Sequence, residues 1–134
     1  MQKFERVAVI AKPQGAISRY VRELTDLITR TEEIARVCDV AVAIGGDGTM
    51  LGAARAMAAY KVPVIGINAG RLGFITDIVL EDMNRLLPAM LLGQYVADER
   101  SMLEGSVWRE DNLLFEGLAV NDIGISHGRA LGMV

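Results

Sequence analysis

Apolar residues in this chain come in short dense runs, separated by stretches where they recur every three or four positions. Val7, Ala8, Val9, Ile10 and Ala11 follow one another without a break, as in a strand buried on both faces of a parallel sheet. Pro13, Gln14 and Gly15 end that run. Ile17, Val21, Leu24, Leu27 and Ile28 then keep helical spacing and predict an amphipathic helix over about residues 16–30. Thr31, Glu32 and Glu33 mark the start of a second short helix running through Val37. Residues 39–44 predict the next strand, residues 50–60 an alanine-rich helix, residues 62–67 a third strand and residues 80–92 another amphipathic helix.

This β-α-β-α-β alternation predicts an α/β fold, a Rossmann-like parallel sheet covered by helices. Ligands in such sheets sit beyond the carboxyl ends of the strands. Two glycine-bearing loops, residues 45–49 and 68–74, leave strand ends of that kind and are expected to share one crevice. After Gly93 the pattern changes. Residues 101–108, 113–120 and 123–126 read as strands without long helices between them, and Arg109, Glu110, Asp111 and Asn112 make a polar turn. The expected organisation is an α/β nucleotide-binding domain over residues 1–97 and, over 98–134, the beginning of an antiparallel β-rich domain that the chain leaves incomplete.

Bulk composition narrows the classes. The 134 residues fit one domain able to bury roughly two-thirds of its unfolded surface. A hydrophobic fraction of 51% against 23% charged excludes wholesale disorder. Aromatics are scarce, so Ala, Val, Ile, Leu and Met must fill the core, with Met50, Met57, Met83 and Met90 at helical spacings as filler. The net charge of −3 and the lack of a basic stripe argue against a nucleic-acid partner. Charges interrupt every apolar stretch before the ~18 residues that a membrane span needs. With one cysteine, Cys38, and no secretory signal, a cytoplasmic setting is expected. One cysteine and one histidine, His127, make no zinc-type ligand cluster.

The most informative segment is Gly45-Gly46-Asp47-Gly48-Thr49, set between the apolar run ending at Ile44 and the helix that follows. A strand, a glycine turn and a helix start point backbone N–H groups at a phosphate-bearing ligand. Glycines let the main chain turn sharply and approach a bound molecule without Cβ clashes. A Walker loop would have Lys next to Ser or Thr; here a carboxylate stands in the turn instead. It suits accepting a hydrogen bond or proton from a hydroxyl, late in the attack on a phosphoryl group, or orienting that hydroxyl. The plain alternative is Asp47 as a helix N-cap.

Other candidates carry equally plain alternatives. Residues 68–74 form an ordinary strand-to-helix loop, or one in which Phe74 stacks on a heterocycle and Arg71 reaches a phosphate. Asn121 and Asp122 make a turn or bulge, or bond sugar hydroxyls and an adenine edge.

Three motifs in this order resemble bacterial NAD kinases, the ATP-NAD kinase family. They are Gly45-Gly46-Asp47-Gly48-Thr49-Met50-Leu51-Gly52-Ala53-Ala54-Arg55, then Val64-Ile65-Gly66-Ile67-Asn68-Ala69-Gly70-Arg71-Leu72-Gly73-Phe74-Ile75-Thr76-Asp77, then Ala119-Val120-Asn121-Asp122. The first is shared with diacylglycerol-type lipid kinases and loosely with phosphofructokinases; the second is much more specific. The resemblance covers residues 39–127 and implies the N-terminal portion of such an enzyme.

The family transfers phosphate from ATP, or sometimes polyphosphate, to the 2′-hydroxyl of the adenosine ribose of NAD, with a divalent cation such as Mg2+. By that resemblance Asp47 is the catalytic group facing the hydroxyl, and Gly46, Thr49, Gly48, Leu51 and Phe74 line the nucleotide site. Asn121 and Asp122 hold the adenosine side. No residue is assigned as a metal ligand, and homo-oligomers are expected.

Family members are longer, and their second domain carries a Thr-Gly-Ser-Thr-Ala-Tyr signature that does not occur here. The stretch between Ala11 and Asp39 is also short for the family, as if a strand near Thr29–Glu33 were lost. The chain alone is therefore expected to be impaired or inactive, because phosphoryl transfer needs several groups positioned together. The rival readings are a non-catalytic nucleotide-binding fragment and, less favoured, a fragment of a lipid kinase.

Overall fold

The computed structural model describes residues 2–11, 33–69, 73, 75–76 and 78–125. The chain divides into two compact units, Met1–Asp98 and Glu99–Val134. The first contains β1 (Val7–Ala11), β2 (Val40–Gly45), helix α1 (Asp47–Ala58), β3 (Val64–Asn68) and the short β4 (Ile78–Val79). A 3-10 turn, Leu80–Asp82, then leads into helix α2 (Met83–Leu91). The four strands are parallel and lie in sequence order, β1-β2-β3-β4.

Strand β2 explains why the sheet needs helices on both faces. Its residues alternate Val40, Ala41, Val42, Ala43, and all four are buried. Ala41 and Ala43 pack with Ala8, Ile10, Ala35 and the α1 residues Ala53 and Met57. The small alanines let α1 come close, and the fully buried Met57 fills the remaining gap. Val40 and Val42 face the other way, packing with Ile65, Ile67 and Ile78 under the α2 residues Met83, Leu86, Leu87, Met90 and Leu91. Met50, Met83 and Met90 pack at the edges of these two clusters, so the helical methionines are core filler.

Strand β1 departs from expectation. Ala8 and Ile10 are buried, but Val7 is exposed and Val9 is 64% exposed, so one face of the strand is packed and not both. Among the described residues β1 is first in the sheet order, paired with β2, and an unbroken Ala/Val/Ile run has no polar residue to mark its less buried side. Strands β2 and β3 and helix α2 fall within a few residues of their expected ranges, whereas β4 was not foreseen. The helix expected over 16–30 and the strand loss suspected near Thr29–Glu33 concern mostly residues outside those described. Of the short helix expected through Val37, residues 33–35 are helical.

Asp39 sets the register at the start of the sheet. Its Oδ2 accepts from the backbone N–H groups of Glu5 and Arg6, each at 3.1 Å, and Oδ1 accepts from the Arg6 guanidinium at 2.7 Å. Its own N–H donates to the Arg6 carbonyl at 2.8 Å. The unit closes where the Phe4 N–H donates to the Leu91 carbonyl at 3.0 Å and the rings of Phe4 and Tyr95 stack 5.2 Å apart. Gly93, at φ 99°, takes the left-handed conformation that ends α2.

The second unit is a hairpin of β5 (Leu103–Arg109) and β6 (Asn112–Ala119), turned through Glu110 at φ 54° and interrupted by a bulge at Val107/Trp108. Ile123, Gly124 and Ile125 are not in a strand, contrary to expectation. Instead the Ile123 side chain lies across Gly105, its Cδ1 2.6 Å from where a Cβ would stand. No helix among the described residues is long and apolar enough to cross a membrane.

The Arg6 guanidinium, with the two backbone donors, holds the Asp39 carboxyl below its ordinary value of 3.8. A carboxyl depressed in the folded state contributes stability above its unfolded pKa, and that contribution is lost as pH falls through the folded value. Asp39→Asn is expected to lower stability near pH 7 and to lose less than the wild type between pH 4 and pH 2. Urea denaturation across that range checks this.

Candidate functional site

Parallel pairing of β2 and β3 brings Gly45 opposite Asn68. Both strands end there, so the loops that follow leave the same edge of the sheet, and the Ala69 N–H donates to the Gly45 carbonyl at 3.1 Å. Asn68, expected in the loop, is the last residue of β3 and is buried.

Helix α1 begins earlier than the sequence implies. Gly46 is its N-cap and Asp47 its first residue, so Asp47 is not the cap that the plain alternative proposed, and no side chain caps the helix. The carboxylate still stands in the first turn, where the positive end of the helix dipole favours a negative charge. The N–H groups of Thr49 and Met50 turn back to the Gly46 carbonyl, at 3.0 and 3.2 Å.

The half-buried Asp47 side chain is held by the second loop. The Ile75 N–H donates to its Oδ1 at 3.2 Å. Gly73 lies against the same carboxylate: a Cβ there would stand 2.6 Å from Asp47 Cγ. Only a residue without a side chain allows that approach. The two glycine loops thus meet at Asp47.

The other glycines act differently from expectation. Among the described residues only Gly93 of the glycines has positive φ, so the turn into α1 needs no left-handed residue. Gly45 has no Cβ because the Thr49 side chain fills that place, with Oγ1 2.5 Å from where it would be. Thr49 thereby packs on the end of β2. Gly46 and Gly48 are exposed, and a Cβ on either would meet nothing within 4 Å. Among the described residues nothing requires either to be glycine. Leu51, in the next turn of α1, is half-buried.

Gly46, Asp47, Gly48, Thr49 and Leu51 are therefore gathered at one helix start, with Gly73 and Ile75 beside them. Sequence reading missed Ile75 as a partner of Asp47, since a backbone donor leaves no trace in residue type. Arg71, Phe74 and His127 lie outside the described residues. Asn121 and Asp122 belong to the second unit, exposed just beyond β6. Cys38 is half-buried, and burial pushes its thiol up, away from reactivity. No group of three or more His, Cys, Asp or Glu side chains converges among the described residues to hold a metal ion.

Comparison with known proteins identifies the family. Residues 5–95 match the family model described as the ATP-NAD kinase N-terminal domain. The chain is 54% identical over 103 residues to an NAD kinase of Cupriavidus pinatubonensis, covering 77% of this chain and 34% of the relative. It is 52% identical to an NAD kinase of Ralstonia nicotianae and 50% identical to one of Bordetella pertussis, with the same coverage. The chain spans about a third of the length of these relatives, 34% in each case. Its α/β unit, with the carboxylate at the head of α1, belongs to the ATP-NAD kinase family as the N-terminal domain.

Proposed function

We propose that this chain provides the NAD-binding, phosphate-accepting side of an NAD kinase. Asp47 faces the 2′-hydroxyl of the adenosine ribose of NAD. As that oxygen attacks the γ-phosphorus of ATP, its proton passes to the Asp47 carboxylate. The new O–P bond forms as the bond to the β–γ bridging oxygen breaks, leaving NADP and ADP. The observation that carries this reading is the anchoring of Asp47 by the Ile75 N–H at 3.2 Å, which fixes the carboxylate's orientation. Positioning of this kind is the main device of phosphoryl-transfer catalysis.

Gly46 and Gly48 fit the same reading. Their empty surroundings let a ligand lie directly on the backbone at the head of α1. Leu51, Thr49 and Phe74 are assigned to the nucleotide site, and Asn121 and Asp122 to the adenosine side. Residues 1–97 are assigned as the nucleotide-binding domain and 98–134 to a β-rich domain. A divalent cation, Mg2+ in this reading, arrives on the donor's phosphates, consistent with its habit of keeping few protein ligands. Self-association is part of the proposal, supported by the exposed apolar side chains of the hairpin, Val107, Trp108 and Phe115 among them.

Three measurements test the proposal. Calorimetry with NAD on the 134-residue chain is expected to show binding. NADP formation from NAD, ATP and Mg2+ is expected when the chain is complemented with the C-terminal portion of the Cupriavidus relative. Binding with no turnover in any complemented form would instead identify a non-catalytic nucleotide-binding module. In the active form Asp47→Asn is expected to lower kcat by about 10²–10⁴-fold, the range for loss of a general base, and full activity would remove Asp47 from the chemistry.

The glycines should separate fold from binding. Gly48→Ala is expected to keep or raise the Tm, since Ala favours a helix by up to about 1 kcal/mol over Gly, while weakening NAD at least tenfold, as about 1.4 kcal/mol of lost contact does. Gly73→Ala is expected to lower the Tm, because its methyl collides with the Asp47 carboxylate. Thermal unfolding beside calorimetry reads both.

A further inference from the structure

Thr76 follows the residue whose N–H holds Asp47, and no role has so far been given to it. It is 4% exposed, and its hydroxyl makes no hydrogen bond among the described residues. Its methyl group faces β3 at Gly66. A Cβ on Gly66 would lie 3.1 Å from Thr76 Cγ2 and 2.9 Å from Met50 Sδ, so the missing side chain of Gly66 leaves a notch shared by these two groups. Met50 is in the first turn of α1, three residues from Asp47. The notch therefore joins the strand, the start of α1 and the loop segment that carries the Ile75 N–H.

We propose that Thr76 is a positioning residue for Asp47: its methyl, seated in the Gly66 notch, fixes the backbone of Ile75 and through it the hydrogen bond to the carboxylate. The hydroxyl takes no part. An unpaired buried hydroxyl costs stability, and an isosteric apolar group removes that cost. The inference rests on the reading of Asp47 above for its catalytic meaning, though not for the contact itself.

Amide hydrogen exchange of Ile75 in the full 134-residue chain tests it without any turnover. Thr76→Ser keeps the hydroxyl and deletes the methyl; it is expected to speed Ile75 exchange about fourfold, the worth of one buried methyl group. Thr76→Val keeps the methyl; it is expected to leave that exchange unchanged and to raise the Tm. Gly66→Ala combined with Thr76→Ser puts a methyl back into the notch, with the flexible Met50 end moving aside, and is expected to restore slow exchange. In the complemented kinase, Thr76→Ser should lower kcat severalfold with KM for ATP unchanged, and Thr76→Val should not.

Unchanged Ile75 exchange in Thr76→Ser, or exchange in Thr76→Val as fast as in Thr76→Ser, overturns the proposal. If exchange behaves as expected while Asp47→Asn remains fully active, the positioning contact stands and the catalytic reading of Asp47 is what fails.

Discussion

The site depends on the register between β2 and β3. Gly45 opposite Asn68 is what puts two glycine loops, more than twenty residues apart in the chain, at one edge of the sheet. That register is strongly specified because β2 is packed on both faces, with Ala41 and Ala43 under α1 and Val40 and Val42 under α2. A slip by one residue would exchange the two sets, pressing valines against a helix seated for alanines and leaving gaps beneath α2. The carboxylate of Asp47 could not then meet the Ile75 N–H. Packing far below the loops thus decides whether the 3.2 Å hydrogen bond from the Ile75 N–H forms at their meeting point.

Much of this was legible in residue order. Short apolar runs alternating with helical spacing announced the parallel sheet, and the two glycine loops could be assigned to one crevice because parallel strands end on the same side. What could not be read was anything set by tertiary contact. The unequal burial of the two faces of β1 escaped because Val7 and Val9 are as apolar as Ala8 and Ile10. Ile123 and Ile125 looked like a strand by composition, yet Ile123 instead covers Gly105. Asp47 was recognised by its glycine setting, but its anchor is a main-chain N–H that any residue at position 75 except proline could provide. Thr76 gave no signal at all, since its part depends on the emptiness of Gly66.

The hairpin follows a different logic. Leu103, Gly105 and Val107 of β5 pair with Ala119, Gly117 and Phe115 of β6, giving one face with no polar side chain as far as the bulge. The opposite face mixes Glu104, Ser106 and Glu116 with Leu118, and Trp108 there donates from Nε1 to Ser106 Oγ at 2.9 Å. Such alternation is the mark of a sheet made to be covered on one side. Two strands alone bury too little to be stable in water, and among the described residues of this unit Ile123 covers the glycine end. On that apolar face Val107 and Phe115 are 53% and 63% exposed.

At the head of α1 the demands of a helix and of the proposed nucleotide site pull apart. A helix start built for stability would have Ser, Asp or Asn at the N-cap, with Gly only slightly behind, and no glycine inside. Here Gly46 is the cap with no side-chain bond, and Gly48 occupies the first turn. Neither position is crowded, so larger residues would fit the fold as it stands. Gly45 and Gly73 are the opposite case, each forced by an adjacent side chain. Two kinds of glycine are therefore interleaved along the same few residues. Those at 45 and 73 fix where Thr49 and Asp47 sit, while those at 46 and 48 keep the space above them clear. In the proposed function, that uncrowded backbone at 46 and 48 is what a bound nucleotide would lie against.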